Sequence, residues 1–161
     1  MAERPAVNAS PLIFLSRAAL IHFLQVAAAE IIVPRAVAEE IERRGSDDVT
    51  ARTINATPWL IAAPTPTVPA SVQAWGLGEG ESSVLAWALA HPGAEAIIDD
   101  LAARRCAASL GIPVRGTLGL ILTAKQRGLL PQARPVIEQL RLSGMYLSEK
   151  VLNQALSLVG E

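Results

Sequence analysis

Short apolar runs of strand length alternate with longer stretches of helical spacing along this chain, and that alternation predicts an α/β fold. Residues 5–7 read as a first strand ending at Asn8. Ser10 is expected to cap the following helix, with Pro11 at its first position and apolar residues at helical spacing over 12–24. Residues 30–33 form a second predicted strand closed by Pro34. That proline opens a helix in which Ala36, Val37, Glu40 and Ile41 recur at spacings of three and four, ended by Gly45. Asp47 or Asp48 should cap a helix running toward Asn55, and 59–63 should be a strand. The Pro/Thr-rich stretch 65–69 is too short for a domain linker. The glycines of 76–80 lead into an apolar helix over 81–90, and 94–98 is a buried-looking strand between Pro92-Gly93 and Asp99-Asp100. Helices are predicted at 101–110, 116–126, about 131–140 and 148–159, with a turn and short strand over 111–114. A mainly parallel central sheet with helices on both faces is the implied architecture.

Composition sharpens this picture. The 161 residues suit one domain over 1–161, with the C-terminal helices of about 131–159 packing on or extending it. Hydrophobic residues make up 51% but aromatics only 4%, so the core must be built from Ala, Leu, Ile and Val. Disorder is not expected, because charged residues reach only 18% and hydrophobic ones dominate. No stretch approaches the roughly 20 apolar residues of a membrane span, and the start of the chain lacks the pattern of an export signal. A single cysteine, Cys106, excludes an internal disulfide and predicts a reducing, cytoplasmic setting.

The net charge of −1 conceals an asymmetry: residues 1–100 hold twelve acids against six basic residues, whereas 101–141 hold seven basic residues and one acid, Glu138. Such a chain can carry an acidic site beside a basic surface, although solvated helix faces would give the same pattern. In open α/β sheets functional groups gather beyond the carboxyl ends of the strands, where Asn8 and the pair Asp99-Asp100 fall. Glu39 and Glu40 on one helix, and Glu79 and Glu81 at the start of another, add carboxylates. Adjacent aspartates repel unless a cation lies between them, and oxygen ligands favour Mg²⁺ or Mn²⁺. The alternative, that Asp99 or Asp100 caps the next helix, stays open at this point.

The segments VNASPLIFLSRA, VPRAVAEEI, LGEGESSVLAWALA and AIIDDLAARRCAASLGIPVRGTLGLILTAKQRGLL occur in that order and cover residues 7 to about 130. Together they resemble the PIN-domain family, in the branch related to VapC-type toxin ribonucleases. The resemblance implies a PIN-like three-layer α/β/α sandwich and Mg²⁺- or Mn²⁺-dependent hydrolysis of RNA phosphodiester bonds, plausibly by the toxin of a toxin–antitoxin pair. It further implies a protein antitoxin as partner. A homodimer is expected separately, because half the chain is apolar and so much Ala and Leu surface must be buried somewhere. Its acidic cluster falls on Asn8, Glu40, Glu81 and Asp100, with Asp99 beside it. Glu40, Glu81 and Asp100 take the catalytic positions, and Ser10 and Thr117 those that order the site. Arg104 and Lys125 are the first candidates to contact RNA phosphates. Asn8 departs from the pattern, because the family usually has an aspartate there. Its neutral carbonyl oxygen adds no charge, so weaker metal binding is expected, with three outcomes open: activity through Glu81, Asp100, Asp99 and waters, slow Mn²⁺-preferring cutting, or binding of RNA or a partner without cleavage.

Other polar residues have plainer expectations. His22 and His91 read as packing and helix-end residues, Cys106 as a small core residue, and the scattered Trp59, Trp75 and Trp87 as core or interface residues. The glycines of 76–80 lack the following G-K-S/T of a phosphate loop.

Overall fold

Five short runs rich in Ala, Ile and Val form the strands of the sheet: β1 (Ala6–Val7), β2 (Ile31–Pro34), β3 (Leu60–Ala63), β4 (Ala96–Ile97) and β5 (Val114–Arg115). The structure, a computed structural model, describes residues 3–161. The strand order is β3-β2-β1-β4-β5 and every neighbouring pair is parallel. Parallel strands need crossovers, which here are helices: α1 (Ala9–Arg17), α2 (Arg35–Glu42), α3 (Val49–Ala56), α4 (Ala70–Gln73), α5 (Glu79–Ala90) and α6 (Leu101–Ser109). Three more follow the last strand: α7 (Thr117–Gln126), α8 (Arg134–Leu142) and α9 (Glu149–Ser157).

The helices sort into two groups. α1 packs with α3, α7 and α8, α5 packs with α6 and on β1, β2 and β4, and α2 bridges the two groups by packing on α5 as well as on α1 and α3. The chain runs from β1 through β2 to β3 on one side of β1 and returns to β4 and β5 on its other side. With the right-handed crossovers usual for parallel strands, that reversal puts helices on both faces of the sheet and gives three layers. Being covered on both sides, the central strands are apolar throughout: Val7, Ile31, Ile32 and Ile97 are fully buried. Leu12, Leu15, Leu85 and Ile121 fill the layers above and below, and Ile137, Leu140, Leu152 and Leu156 bring α8 and α9 into the same buried cluster. The aliphatic core that the low aromatic content requires is therefore present.

Besides the short helix α4, which the sequence reading did not predict, two local features near the start of the chain differ from it. The single helix expected over 12–24 is two pieces, because α1 ends at Arg17 and a 3₁₀ stretch occupies Ile21–Val26. The break is a Schellman turn in which the Leu20 N–H donates to the Leu15 carbonyl and the Ala19 N–H to that of Ser16. Ala19 adopts φ +57°, a conformation usually left to glycine, which is why the spacing of apolar residues gave no hint of the stop. The second difference lies at the start of α1. Asn8, rather than Ser10, holds the N-cap position, and Ser10 sits inside the first turn.

Of the plainer residues, Cys106, His91 and Trp87 behave as expected, whereas Trp75 is 41% exposed and so lies outside the core. Cys106 is buried and unpaired. The His91 ring stacks on Trp87 at 3.8 Å between centroids, and the Trp87 indole N–H donates to the Arg4 carbonyl. Among the described residues, no helix is long and apolar enough to cross a membrane.

Candidate functional site

The order of the sheet determines where chemistry can gather. From β1 the chain departs toward β2, and from β4 it departs toward β5, in opposite directions, so the two connections part and leave a crevice beyond the ends of these adjacent strands. The register aligns Val7 with Ile97 and Ile97 with Arg115. The residues that follow, Asn8, then Asp99-Asp100, then Gly116-Thr117, therefore emerge side by side at one edge.

Asn8 is 2% exposed, and its side chain makes no capping bond. Its Oδ1 is buried with no hydrogen-bond partner, an orphaned acceptor that costs free energy as it stands. α5 passes directly over it. A Cβ on Gly80 would lie 2.8 Å from the Glu40 Oε2 and 3.0 Å from the Asn8 Oδ1, so the glycine lets both oxygens approach the helix here, and a larger residue would displace at least the Glu40 side chain. The same turn brings in Glu81, half-buried.

The two aspartates are each committed to a helix start. Asp100 holds the N-cap position of α6 and its Oδ2 accepts from the Ala103 N–H at 2.9 Å. Asp99 reaches across to the start of α7, where its Oδ1 accepts from the Thr117 N–H and its Oδ2 from the Thr117 hydroxyl, both at 2.7 Å. Each charge thus faces the positive end of its own helix, which offsets the repulsion that the sequence alone seemed to assign to a cation. Thr117 is fully buried and orders Asp99. Replacing Thr117 with Val keeps the shape and the backbone bond but removes the hydroxyl donor. Urea unfolding should show a loss of about 1 kcal/mol, and an unchanged stability would mean that water serves Asp99 equally well.

These groups border one cavity of about 600 Å³, walled in part by Ser10, Glu81, Asp99, Asp100 and Arg104. Arg104 lies on α6 one turn after Asp100 and donates from Nη1 to the Ile98 carbonyl at 3.3 Å. Gly116 is the point of closest packing, since a Cβ there would meet the Arg104 guanidinium and lie 3.0 Å from the Asp99 Oδ1. Asn8 and Glu40 do not line this cavity; they lie beside Gly80, one residue before Glu81.

Lys125 is elsewhere. Its Nζ donates to the Pro131 carbonyl and lies 3.7 Å from the Glu161 carboxylate. Glu161 in turn accepts from the Ala133 and Arg134 N–H groups, and the Ala133 bond first of all holds its carboxyl below the ordinary glutamate range. Other members of the basic segment are similarly occupied: Arg115 pairs with Glu95, Arg127 donates to the Val26 carbonyl, and Arg141 pairs with Glu138 and Glu149. Most of the charge asymmetry is thus structural.

The oxygen-only donor set and the orphaned Asn8 Oδ1 beside the Glu40 carboxylate suit a hard divalent cation. Among the described residues, no three Asp, Glu, His or Cys side chains converge closely enough to hold an ion without moving. Sequence reasoning missed the two glycines, whose signal lies only in what they pack against. It also missed the apolar wall of the cavity, supplied by Phe14, Leu118, Leu122 and the segment 145–147. A family model described as a PIN domain matches residues 5–161. No curated protein matches the chain.

Proposed function

We propose that this chain, which belongs to the PIN-domain family, hydrolyses RNA phosphodiester bonds with Mg²⁺ or Mn²⁺ as cofactor. The observation that carries this reading is the meeting of Ser10, Glu81, Asp99, Asp100 and Arg104 on one cavity at the switch point of the sheet. Glu81 and Asp100, which line the cavity, would hold the ion once side chains converge on it, with Glu40 and the neutral Asn8 Oδ1 beside Gly80 as further oxygens. Bound there, a divalent ion lowers the pKa of water and stabilises charge developing on the phosphate. The chain's own residues do the rest. Arg104 holds a phosphate oxygen by charge-assisted hydrogen bonds. Asp99, clamped by Thr117, keeps the Gly116 turn and hence the cavity wall in place. Ser10, in the first turn of α1, orders the acidic side.

A toxin role within a toxin–antitoxin pair, neutralised by a small protein partner, belongs to the same proposal, as do a homodimer and a cytoplasmic setting. The buried, unpaired Cys106 supports the last of these.

A second reading is that the protein binds RNA or a partner without cutting. Two observations favour it: Asn8 brings no charge, and no three acidic side chains converge among the described residues. One assay separates the readings. Purified protein with Mn²⁺ is incubated with a panel of single-stranded and structured RNAs beside its Glu81→Gln variant. Cleavage by the first and not the second supports the nuclease, and the absence of cleavage across the panel would leave only the second reading.

A further inference from the structure

The cavity is lined by two chemically different sets of side chains. One set is charged, Glu81, Asp99, Asp100 and Arg104; the other is largely apolar, Phe14, Leu118 and Leu122 with Met145, Tyr146 and Leu147. Tyr146 stands out, because its side chain is 90% exposed at the rim while its neighbours are anchored. The anchoring has a clear basis. α8 ends in a Schellman turn in which Gly144, at φ +110°, lets the Met145 N–H donate to the Leu140 carbonyl at 3.1 Å. Met145 is then buried at 9% exposure, and three residues on Ser148 caps α9 by accepting from the Val151 N–H. Both ends of the short connection are held, so the ring is presented to solvent by a fixed backbone.

We infer that Tyr146 is a stacking platform for one unpaired base of single-stranded RNA whose phosphate lies against the charged set. The inference rests on the proposed reading of the site as one that takes RNA. A nucleotide has the same division as the cavity, a charged phosphate joined to a flat, largely apolar base, and Arg104 matches the phosphate. An exposed aromatic ring offers its face to any base, so the contact discriminates single strand from duplex more than one sequence from another. In a duplex the base is already stacked and cannot reach the ring.

Tyr146 is the only tyrosine in the chain, so 3-fluorotyrosine labelling gives a single fluorine resonance from this position. The full chain, with Ca²⁺ in place of Mg²⁺ or Mn²⁺ to offset the carboxylates without cutting, is titrated with a single-stranded oligo-adenylate and with the duplex of the same length. The single strand should shift the resonance and the duplex should not. Tyr146→Ala should weaken single-strand binding, read by fluorescence anisotropy, at least about five-fold, and Tyr146→Phe should bind like the wild type. Binding of the strand with an unmoved resonance, or an alanine variant that binds equally well, would overturn the inference. So would a resonance that moves with protein concentration alone, which would give the ring to a second copy of the chain. Cleavage plays no part in these readouts: a protein that never cuts RNA but shows the Tyr146 response loses the nuclease reading and keeps the platform.

Discussion

Replacing Asp100 with Asn is expected to lower RNA cleavage by about 100-fold or more while leaving the fold as stable as before. The reasoning separates two tasks of one side chain. Its Oδ2 caps α6 through the Ala103 N–H, a task asparagine performs about as well as aspartate. Its charge is what the proposed chemistry needs, and the amide lacks it. Asp100→Ala loses both, so it should match the Asn variant in activity and add a stability loss of about 1 kcal/mol. Cleavage rates in Mn²⁺ and unfolding curves for the two variants read this directly. An Asn variant that cuts at the wild-type rate would reduce Asp100 to a helix cap.

The second large effect concerns Asn8. An aspartate at this 2%-exposed position would bring a charge beside the Glu40 carboxylate, where the present oxygen already lacks a donor. In EDTA, Asn8→Asp should therefore destabilise the protein by about 3 kcal/mol, the order expected for an uncompensated buried charge. With Mn²⁺ at about 100 times its dissociation constant, about 2.7 kcal/mol should return. The wild type, with its neutral amide, should respond much less to the metal. Unfolding of both proteins with and without Mn²⁺ gives the four values needed. A variant whose stability ignores Mn²⁺ would show that the corner between Asn8, Glu40 and Gly80 takes no cation. Restored metal binding together with faster cleavage would identify Asn8 as the residue that weakens the natural enzyme.

Much of the fold was legible because its causes are local. The alternation of strand-length and helix-length apolar segments predicted parallel strands and their crossovers, and all four strand pairings are parallel. Of the two candidates Asp47 and Asp48, Asp48 caps α3, an expectation open to sequence reading because an N-cap depends on amides two and three residues away. The stop at Ala19 was not legible, because an alanine in a left-handed turn looks like any helical alanine until the burial of Leu20, Phe23 and Leu24 demands the bend. The short helix α4 was missed for a similar reason, as four residues are too few to show a period.

The candidate site divides along the same line. By itself, the sequence determined the acidic and polar residue types, their places at strand ends and helix starts, and the neutral character of Asn8, because chemistry of that kind travels with the residue. Only the tertiary structure decided which of them meet. It set Ser10, Glu81, Asp99, Asp100 and Arg104 around one cavity, put Asn8 and Glu40 at Gly80, and took Lys125 away to Glu161. It also showed that the paired aspartates answer to two different helix ends, α6 and α7. The physical reason is that convergence depends on strand order: β1 and β4 are neighbours in space yet nearly ninety residues apart in the chain, and no local pattern records that they touch.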